Sequence, residues 1–313
     1  MSENIKQPSP PIVVTPSVLR RLPLPRHAED GDKDERGTIL IVGGAPQMPG
    51  AVILASVAAL RAGAGKLQIA TCVSIAGLVA AQVPESYVIA LPETKKGAIA
   101  PSAARLIAKH ANEAQAVVIG IGMVEKTSVT ALMKHLMPQL KTPVIVLDAI
   151  ALTCFKRYPN TVKATEGKVI MTPHAGEMAS MLGITKEEVL ADPEATARNA
   201  SERFGAVVAL KGSQTFIVDA QHDRAYCNRC GNIGLATSGS GDTLSGIIGG
   251  LAARTATPLV ATVWGVFLHG RAGDKLAKRV GGLGFLAREL LAEIPGLMDK
   301  LTTKKTAKKR ATK

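Results

Sequence analysis

The run GLATSGSGDTLSG (234–246) sets one acid, Asp242, among small residues. Gly239 and Gly241, with Ser238 and Ser240, can turn tightly through positive φ with no side chains in the way. Where a helix follows such a turn, successive backbone N–H groups point at one spot and the helix dipole adds positive potential, making an anion hole. Asp242 then has two readings. In the first turn it could cap the helix. Beside a phosphate-sized hole it could instead take a proton from an attacking hydroxyl. A cap does not require the glycines before it; a phosphate approaching the backbone does.

Two further stretches carry polar groups at strand ends. In VIMTPHAGEMASMLG (169–183) a strand runs into Thr172-Pro173-His174, and Gly176-Glu177 opens a helix. His174 could bond the backbone there or contact a ligand, since ligands of open α/β sheets sit beyond the carboxyl ends of strands. Glu177 satisfies the helix dipole. In VVALKGSQTFIV (207–218) the segment Lys211, Gly212, Ser213, Gln214 and Thr215 could hold a nucleotide's phosphates or ribose, or form an ordinary hairpin turn.

Other glycine-rich stretches are poorer candidates. GGAPQMPGA (43–51) lacks the Gly-Lys-Ser/Thr ending of a P-loop, and AGAGKL (62–67) has no hydroxyl after its lysine. Neither has the GxGxxG order of a dinucleotide fold, so both classical nucleotide folds are disfavoured. Cys227 and Cys230 form one CxxC without a second pair at zinc-finger spacing, which argues against structural zinc. The spacing alone allows a redox pair; the simpler reading is two reduced cysteines that happen to be close. No acidic cluster marks a metal site, and the remaining histidines fall in no constellation.

These loops need a scaffold, and the chain supplies an alternation of strands and helices from residue 37. GTILIVGG, GKLQIATC, ESYVIALPE, AVVIGIG, PVIVLDAIAL and KVIMTPH read as strands. GAVILASVAALRAGAG, PSAARLIAKHANE, TSVTALMKHLM, GEMASMLG and KEEVLADPEATARNASERFG, broken at Pro193, read as helices. AVVALKGSQTFIVDAQHDRAYC holds two strands, and helices are expected over 241–254, about 258–278 and 283–300. Buried strands without polar alternation imply an α/β fold, with a mostly parallel central sheet and helices on both faces. The expected organisation is an N-terminal extension over 1–36, irregular in part, one catalytic domain over 37–300 and a basic tail over 301–313.

Composition sets the outer limits. Of 313 residues 46% are hydrophobic but only 3% aromatic, so the core must be aliphatic. The net charge of +13 is concentrated: the last eleven residues hold six Lys or Arg and no acid, and without them the charge is +7. The tail reads as a solvated end. Scarce aromatics argue against a nucleic-acid partner. No signal peptide opens the sequence and no apolar run nears the ~18 residues of a membrane span. The protein is expected to be soluble and cytoplasmic, with no membrane partner.

Together and in this order, ILIVGGAPQMPGAVILASVAALRAGAGKL, IGIG, LDAIAL, TPHAGE, LKGSQT and GNIGLATSGSGDTLSG resemble the ADP-dependent NAD(P)H-hydrate dehydratases of the ribokinase-like superfamily. The resemblance runs from about residue 14 to about residue 300. It implies a ribokinase-like fold and a substrate that is the hydrate of NADH or NADPH, a nicotinamide cofactor carrying a ring hydroxyl. ADP would phosphorylate that hydroxyl, phosphate would leave, and the ring double bond would return with AMP as product. Asp242 would be the catalytic base. Lys211, Gly212, Ser213, Gln214, Thr215 and Gly241 would contact the nucleotide, and Ala51, Gly122, His174 and Asp242 the hydrated dinucleotide. Mg²⁺ is the implied divalent cation, and a homo-oligomer, dimer or tetramer, the implied assembly. The epimerase domain fused to some relatives is not expected, since no block of that size precedes the match. The chain departs from the family at Ile121 and Ala175, where relatives carry proline, and at Ser238, where they often carry glycine. The alternative is a superfamily kinase of a vitamin precursor or sugar alcohol, which shares the Gly-Asp element and releases a stable phosphorylated product.

Overall fold

The computed structural model describes residues 9–26, 32–219, 221 and 225–302; the basic tail from residue 303 lies outside them. Ahead of residue 37 come a two-residue strand, β1 (Ile12–Val13), and a short helix, α1 (Pro16–Arg21). Then follow β2 (Thr38–Val42), α2 (Pro49–Arg61), β3 (Lys66–Cys72), α3 (Val73–Gln82), β4 (Ser86–Leu91), α4 (Ala104–Asn112), β5 (Ala116–Ile119), α5 (Lys126–Leu136) and β6 (Val144–Leu147). A 3-10 turn over Ala149–Phe155 leads to α6 (Pro159–Lys163), β7 (Val169–Met171), α7 (Ala175–Leu182), α8 (Lys186–Ala191) and α9 (Pro193–Phe204). Next are β8 (Val207–Leu210), β9 (Thr215–Asp219) and β10 (Ala225–Asn228), and then α10 (Ser240–Ala253), α11 (Pro258–Arg279) and α12 (Ala287–Thr302).

The strands form one sheet in the order β1-β10-β9-β8-β7-β6-β5-β2-β3-β4. All pairs are parallel except those of β9, which runs against both β8 and β10. Helices α2, α10, α11 and α12 pack together in one layer, and α4, α5, α7 and α9 lie in the other. The expected α/β architecture is present. Strands such as TILIV, AVVI and VVAL are β-branched and almost wholly buried, as a sheet covered on both faces requires.

Three details differ from the expectation. The run PVIVLDAIAL is a strand only to Leu147. Its neighbours β5 and β7 end at the same level, and Ala149, at φ 51°, turns the chain into the 3-10 segment. The hairpin region holds a third strand, β10, because β9 still has an edge to pair. The sheet also takes in β1 from ahead of residue 37, with Val14 N–H donating to Cys227 O at 2.9 Å. Leu19 of α1 is fully buried and Trp264 Nε1–H donates to Leu22 O at 2.7 Å, so this part of the extension is docked on the core. Among the described residues no helix is long and apolar enough to cross a membrane.

Helix α10 is enclosed on several sides, which accounts for its unusual composition. A Cβ added at Gly246 would stand 2.2 Å from Ala55 O, and one at Gly250 would stand 2.4 Å from Ala59 O. The α10 and α2 backbones therefore touch, and since both positions advance by four residues together, the helices run in the same direction. On its sheet side a Cβ at Gly249 would meet Val118 at 2.5 Å, and on its far side Gly265 of α11 lies against Ile248. Glycine is a poor helix former, so these positions sacrifice intrinsic helicity for close approach. Gly246→Ala should lower unfolding stability by about 1–3 kcal/mol through overpacking. Urea denaturation checks this, and an unchanged midpoint would show that the helices can separate freely.

Candidate active site

The parallel contact brings the starts of α2 and α10 side by side at the carboxyl ends of the strands. Moved one turn back from Gly246 and Ala55, the same register sets Asp242 level with Ala51. Gly122 completes this corner. Its φ is +59°, and a Cβ there would stand 2.8 Å from that of Ala51 and 2.9 Å from Met48 O. Gly44, also at positive φ, donates its N–H to Ile121 O at 2.9 Å and fastens the loop after β2 to the loop after β5. Ala51, Gly122 and Asp242, named from sequence as one group, do come together.

Asp242 is not the helix cap. The N-cap of α10 is Gly239, at φ 86°, so Asp242 is the third helical residue and makes no capping bond. Ser240 N–H donates to Thr237 O at 3.2 Å, and the glycine turn leaves the next two amides, Gly241 and Asp242, to face an anion. Against Gly241 lie Lys211 and Asp148: its added Cβ would stand 3.5 Å from Lys211 Nζ and 3.8 Å from Asp148 Oδ2.

Asp148 was not singled out in the sequence, although an acid inside the apolar run VIVLDAIAL was a legible signal. It lies buried at the end of β6. Lys211 Nζ–H donates to its Oδ1 at 3.1 Å and Ser245 Oγ–H to its Oδ2 at 2.7 Å. Thr172 Oγ1 stands 3.4 Å from Ser245 Oγ and extends the network to β7. Lys211 thus does two things. Its backbone opens the Gly212–Thr215 loop, while its ammonium turns the other way, toward Asp148, Glu177 and Asp242. Burial alone would lower Lys211, but the carboxylates outweigh it and hold the ammonium above its ordinary value.

His174 and Glu177 cap α7 reciprocally. His174 Nδ1 accepts from Gly176 N–H at 3.0 Å and Glu177 N–H at 3.3 Å, while His174 N–H donates to Glu177 Oε2 at 2.9 Å. An accepting Nδ1 leaves the ring proton on Nε2. The side chain is 61% exposed, and its Nε2 stands 3.6 Å from Glu177 Oε1, at the open side of the cluster. Lys211 N–H donates to Pro173 O at 2.8 Å, which places the TPHAGE and KGSQT segments on adjoining strand ends. Glu177 is held above its usual range, chiefly by burial and secondarily by Asp148.

Beyond Lys211, residues Gly212, Ser213 and Gln214 line a cavity of about 310 Å³ whose other walls include Leu190, Pro193 and Phe216. The loop is polar and the walls apolar, a combination that suits a base and its attached phosphates. Gln214 Oε1 accepts from the Cys227 thiol at 3.1 Å. Cys230 instead packs on Gly270 of α11. Cys227 pairs with Phe216, whose side faces α8 and α9, whereas Cys230 lies past the end of β10, and both are free thiols.

Three carboxylates, Asp148, Glu177 and Asp242, surround the Lys211 ammonium. Burial, then Asp148 and Glu177, push Asp242 up to about 6, against the pull of Lys211. A carboxylate tuned to this range is ionised at neutral pH and still basic enough to accept a proton. Among the described residues no three acids, histidines or cysteines are arranged to hold a metal outright.

Because the folded value of Asp242 lies above the unfolded 3.8, the folded state binds this proton more tightly. Its charge costs nothing below pH 3.8, more as pH rises toward 6, and the full amount above. Asp242→Asn should therefore stabilise the fold at pH 8, on the order of 1 kcal/mol after solvent screening. The gain should shrink as pH falls through 6 toward 4. Denaturation curves at pH 8 and pH 4.5 check it; a gain larger at the lower pH would reverse the assignment.

A family profile described as NAD(P)H-hydrate dehydratase matches residues 39–296. An ADP-dependent (S)-NAD(P)H-hydrate dehydratase of Xanthomonas campestris is 46% identical over 289 residues, covering 92% of this chain and 96% of that one. Among solved structures, the ADP/ATP-dependent NAD(P)H-hydrate dehydratase of Bacillus subtilis, co-crystallised with ATP/Mg²⁺, superimposes with a TM-score of 0.78 at 31% identity, covering 96% of this chain and 100% of that one. A ribokinase-like superfamily protein of Enterococcus faecalis gives a TM-score of 0.79 at 27% identity, over 93% and 96% of the two chains. By its sequence over nearly its full described length and by its fold, the chain belongs to the NAD(P)H-hydrate dehydratase family.

Proposed function

We propose that this protein repairs hydrated nicotinamide cofactors by ADP-dependent dehydration of the hydrate of NADH or NADPH, through one catalytic domain over 37–300. The observation that carries the reading is Asp242, raised to about 6 at a glycine-built helix start and set opposite Lys211. The 46% identity with a dehydratase supports it over the alternative, a kinase of a vitamin precursor or sugar alcohol.

In this reading the nucleotide occupies the Lys211–Thr215 side, with its base in the apolar cavity and its terminal phosphate at the α10 amides beside Gly241. The hydrated ring lies between Ala51, Gly122 and His174, with the His174 Nε2–H as a donor. Asp242 takes the proton of the ring hydroxyl as its oxygen bonds to the β-phosphorus of ADP, and the bond to the departing AMP breaks. The amides and Lys211 stabilise charge on the phosphoryl oxygens. The ring carbon–oxygen bond then breaks, phosphate leaves with that electron pair, and the adjacent ring carbon gives up a proton as the double bond re-forms.

Mg²⁺ suits this site as a nucleotide-borne ion. Three carboxylates outnumber the single Lys211 ammonium in the cluster, and Mg²⁺ commonly uses one or two carboxylates besides phosphates and water. Glu177 would hold it through Oε1, since its Oε2 accepts from His174 N–H and both Asp148 oxygens already accept hydrogen bonds. When bound, the ion neutralises phosphate charge during transfer. The protein is read as cytoplasmic, where its substrates are found, and as a dimer or tetramer like other ribokinase-like proteins.

The direct test mixes the protein with ADP, Mg²⁺ and hydrated NADH and follows recovery of reduced-nicotinamide absorbance. Recovery with one AMP and one phosphate per turnover is expected; ATP-dependent phosphorylation of an alcohol without recovery would select the alternative. Asp242→Asn should lower kcat by about 10²–10⁴-fold with ADP binding retained. His174→Ala should chiefly raise KM for the hydrate, and steady-state kinetics with each ligand varied separates the two effects.

A further inference from the structure

The first turn of α10 has no side-chain cap from its own strand-side neighbours. Gly239 has no side chain, and Asp242 does not fold back to cap the turn. A side chain from another helix reaches it instead. His269 of α11 places Nε2 3.0 Å from Ser240 Oγ, at the first residue of α10. The reach depends on the close approach of the two helices: Gly265, one turn before His269, would carry a Cβ only 2.5 Å from Ile248. Ser240 itself is 5% exposed, so the bond is made inside the protein.

A histidine has one property that a lysine or arginine here would lack: neutrality. Burial pushes His269 down to about 4, with Lys211 adding to the effect, so the ring is neutral wherever Asp242 is ionised. It can therefore hold the turn without adding a positive charge, which would drag Asp242 back toward an ordinary, weakly basic carboxylate. Lys211 is left to supply the positive charge of the cluster, and His269 supplies position.

We infer that His269 is a positioning residue for phosphoryl transfer, clamping Ser240 so that the Ser240–Gly241–Asp242 turn stays aimed at the phosphoryl group in flight. The inference rests on the dehydratase reading above. It assigns His269 no contact with substrate and no proton transfer. Its effect should fall on the chemical step, because a small displacement of the amides and of Asp242 weakens interactions made in the transition state while leaving the nucleotide loop over 211–215 in place.

The experiment compares the wild type with H269L, H269Q, S240A and the S240A/H269L pair, each first checked by its thermal melt and by ADP binding. H269L should lose roughly 10–100-fold in kcat with KM for ADP changed less than threefold. H269Q, whose side-chain amide can offer an N–H near the same place, should recover most of the loss. S240A should resemble H269L, and the double variant should lose no more than either single one, the mark of two residues acting through one bond. Full kcat in a folded H269L would overturn the inference, as would additive losses in the double variant. Should H269L fail to fold, S240A and H269Q decide: wild-type kcat in a folded S240A, or a folded H269Q that binds ADP yet has a kcat well below that of S240A, overturns it. A wild type that restores no absorbance overturns the dehydratase reading and this inference with it, whereas an active wild type beside a fully active H269L overturns this inference alone.

Discussion

The backbone contact between α2 and α10 fixes the rest of the site. Two parallel helices at glycine-to-alanine distance keep their starts flush, and those starts lie beyond the carboxyl ends of β2, β5 and β6. One carries Ala51 against Gly122; the other carries the Gly241 and Asp242 amides and the Asp242 carboxylate. Larger side chains at Gly246 or Gly250 would drive the helices apart and separate the two halves of the site. Most of the glycines in GDTLSGIIGGLAAR serve packing, while those before Asp242 serve the turn.

Around that frame the electrostatics follow from burial. Asp148 is satisfied twice, by Lys211 and Ser245, and serves as the fixed negative charge that keeps the ammonium in place. Asp242 is desolvated by burial, has no comparable donor and feels Asp148 and Glu177 as like charges, so its proton affinity rises. Two acids in one pocket therefore have different roles because their hydrogen bonds differ. The arrangement costs folding free energy, as functional sites commonly do.

Much of this was legible beforehand. Buried runs such as TILIV and AVVI announced a covered parallel sheet, and the glycines around Asp242 announced a tight turn into a helix. The strand-end loops fell where ligand contacts were expected. What was hidden depended on partners distant in sequence. Asp148 looked like part of a strand, because only its bonds to Lys211 and Ser245 and the left-handed Ala149 show where the strand stops. Glu177 looked like a dipole-satisfying acid and is also a member of the charge cluster. His269 stood in no constellation until α11 was laid on α10. The CxxC pair agrees with its simpler reading: Cys227 sits in β10, Cys230 lies past its end, and both are free thiols.

The α2–α10 contact also has a consequence for how the chain is made. Ala55 and Gly246 are separated by more than half of its length, so the helices meet only after nearly all the domain has been synthesised. Until then α2 lacks the partner that covers its small residues, and the turn that carries Asp242 does not exist. Contacts of such long range slow folding and favour late completion. A chain interrupted before α10 would thus be inert as well as incomplete: the ribosome would release no partial catalyst able to spend nucleotide without restoring a cofactor.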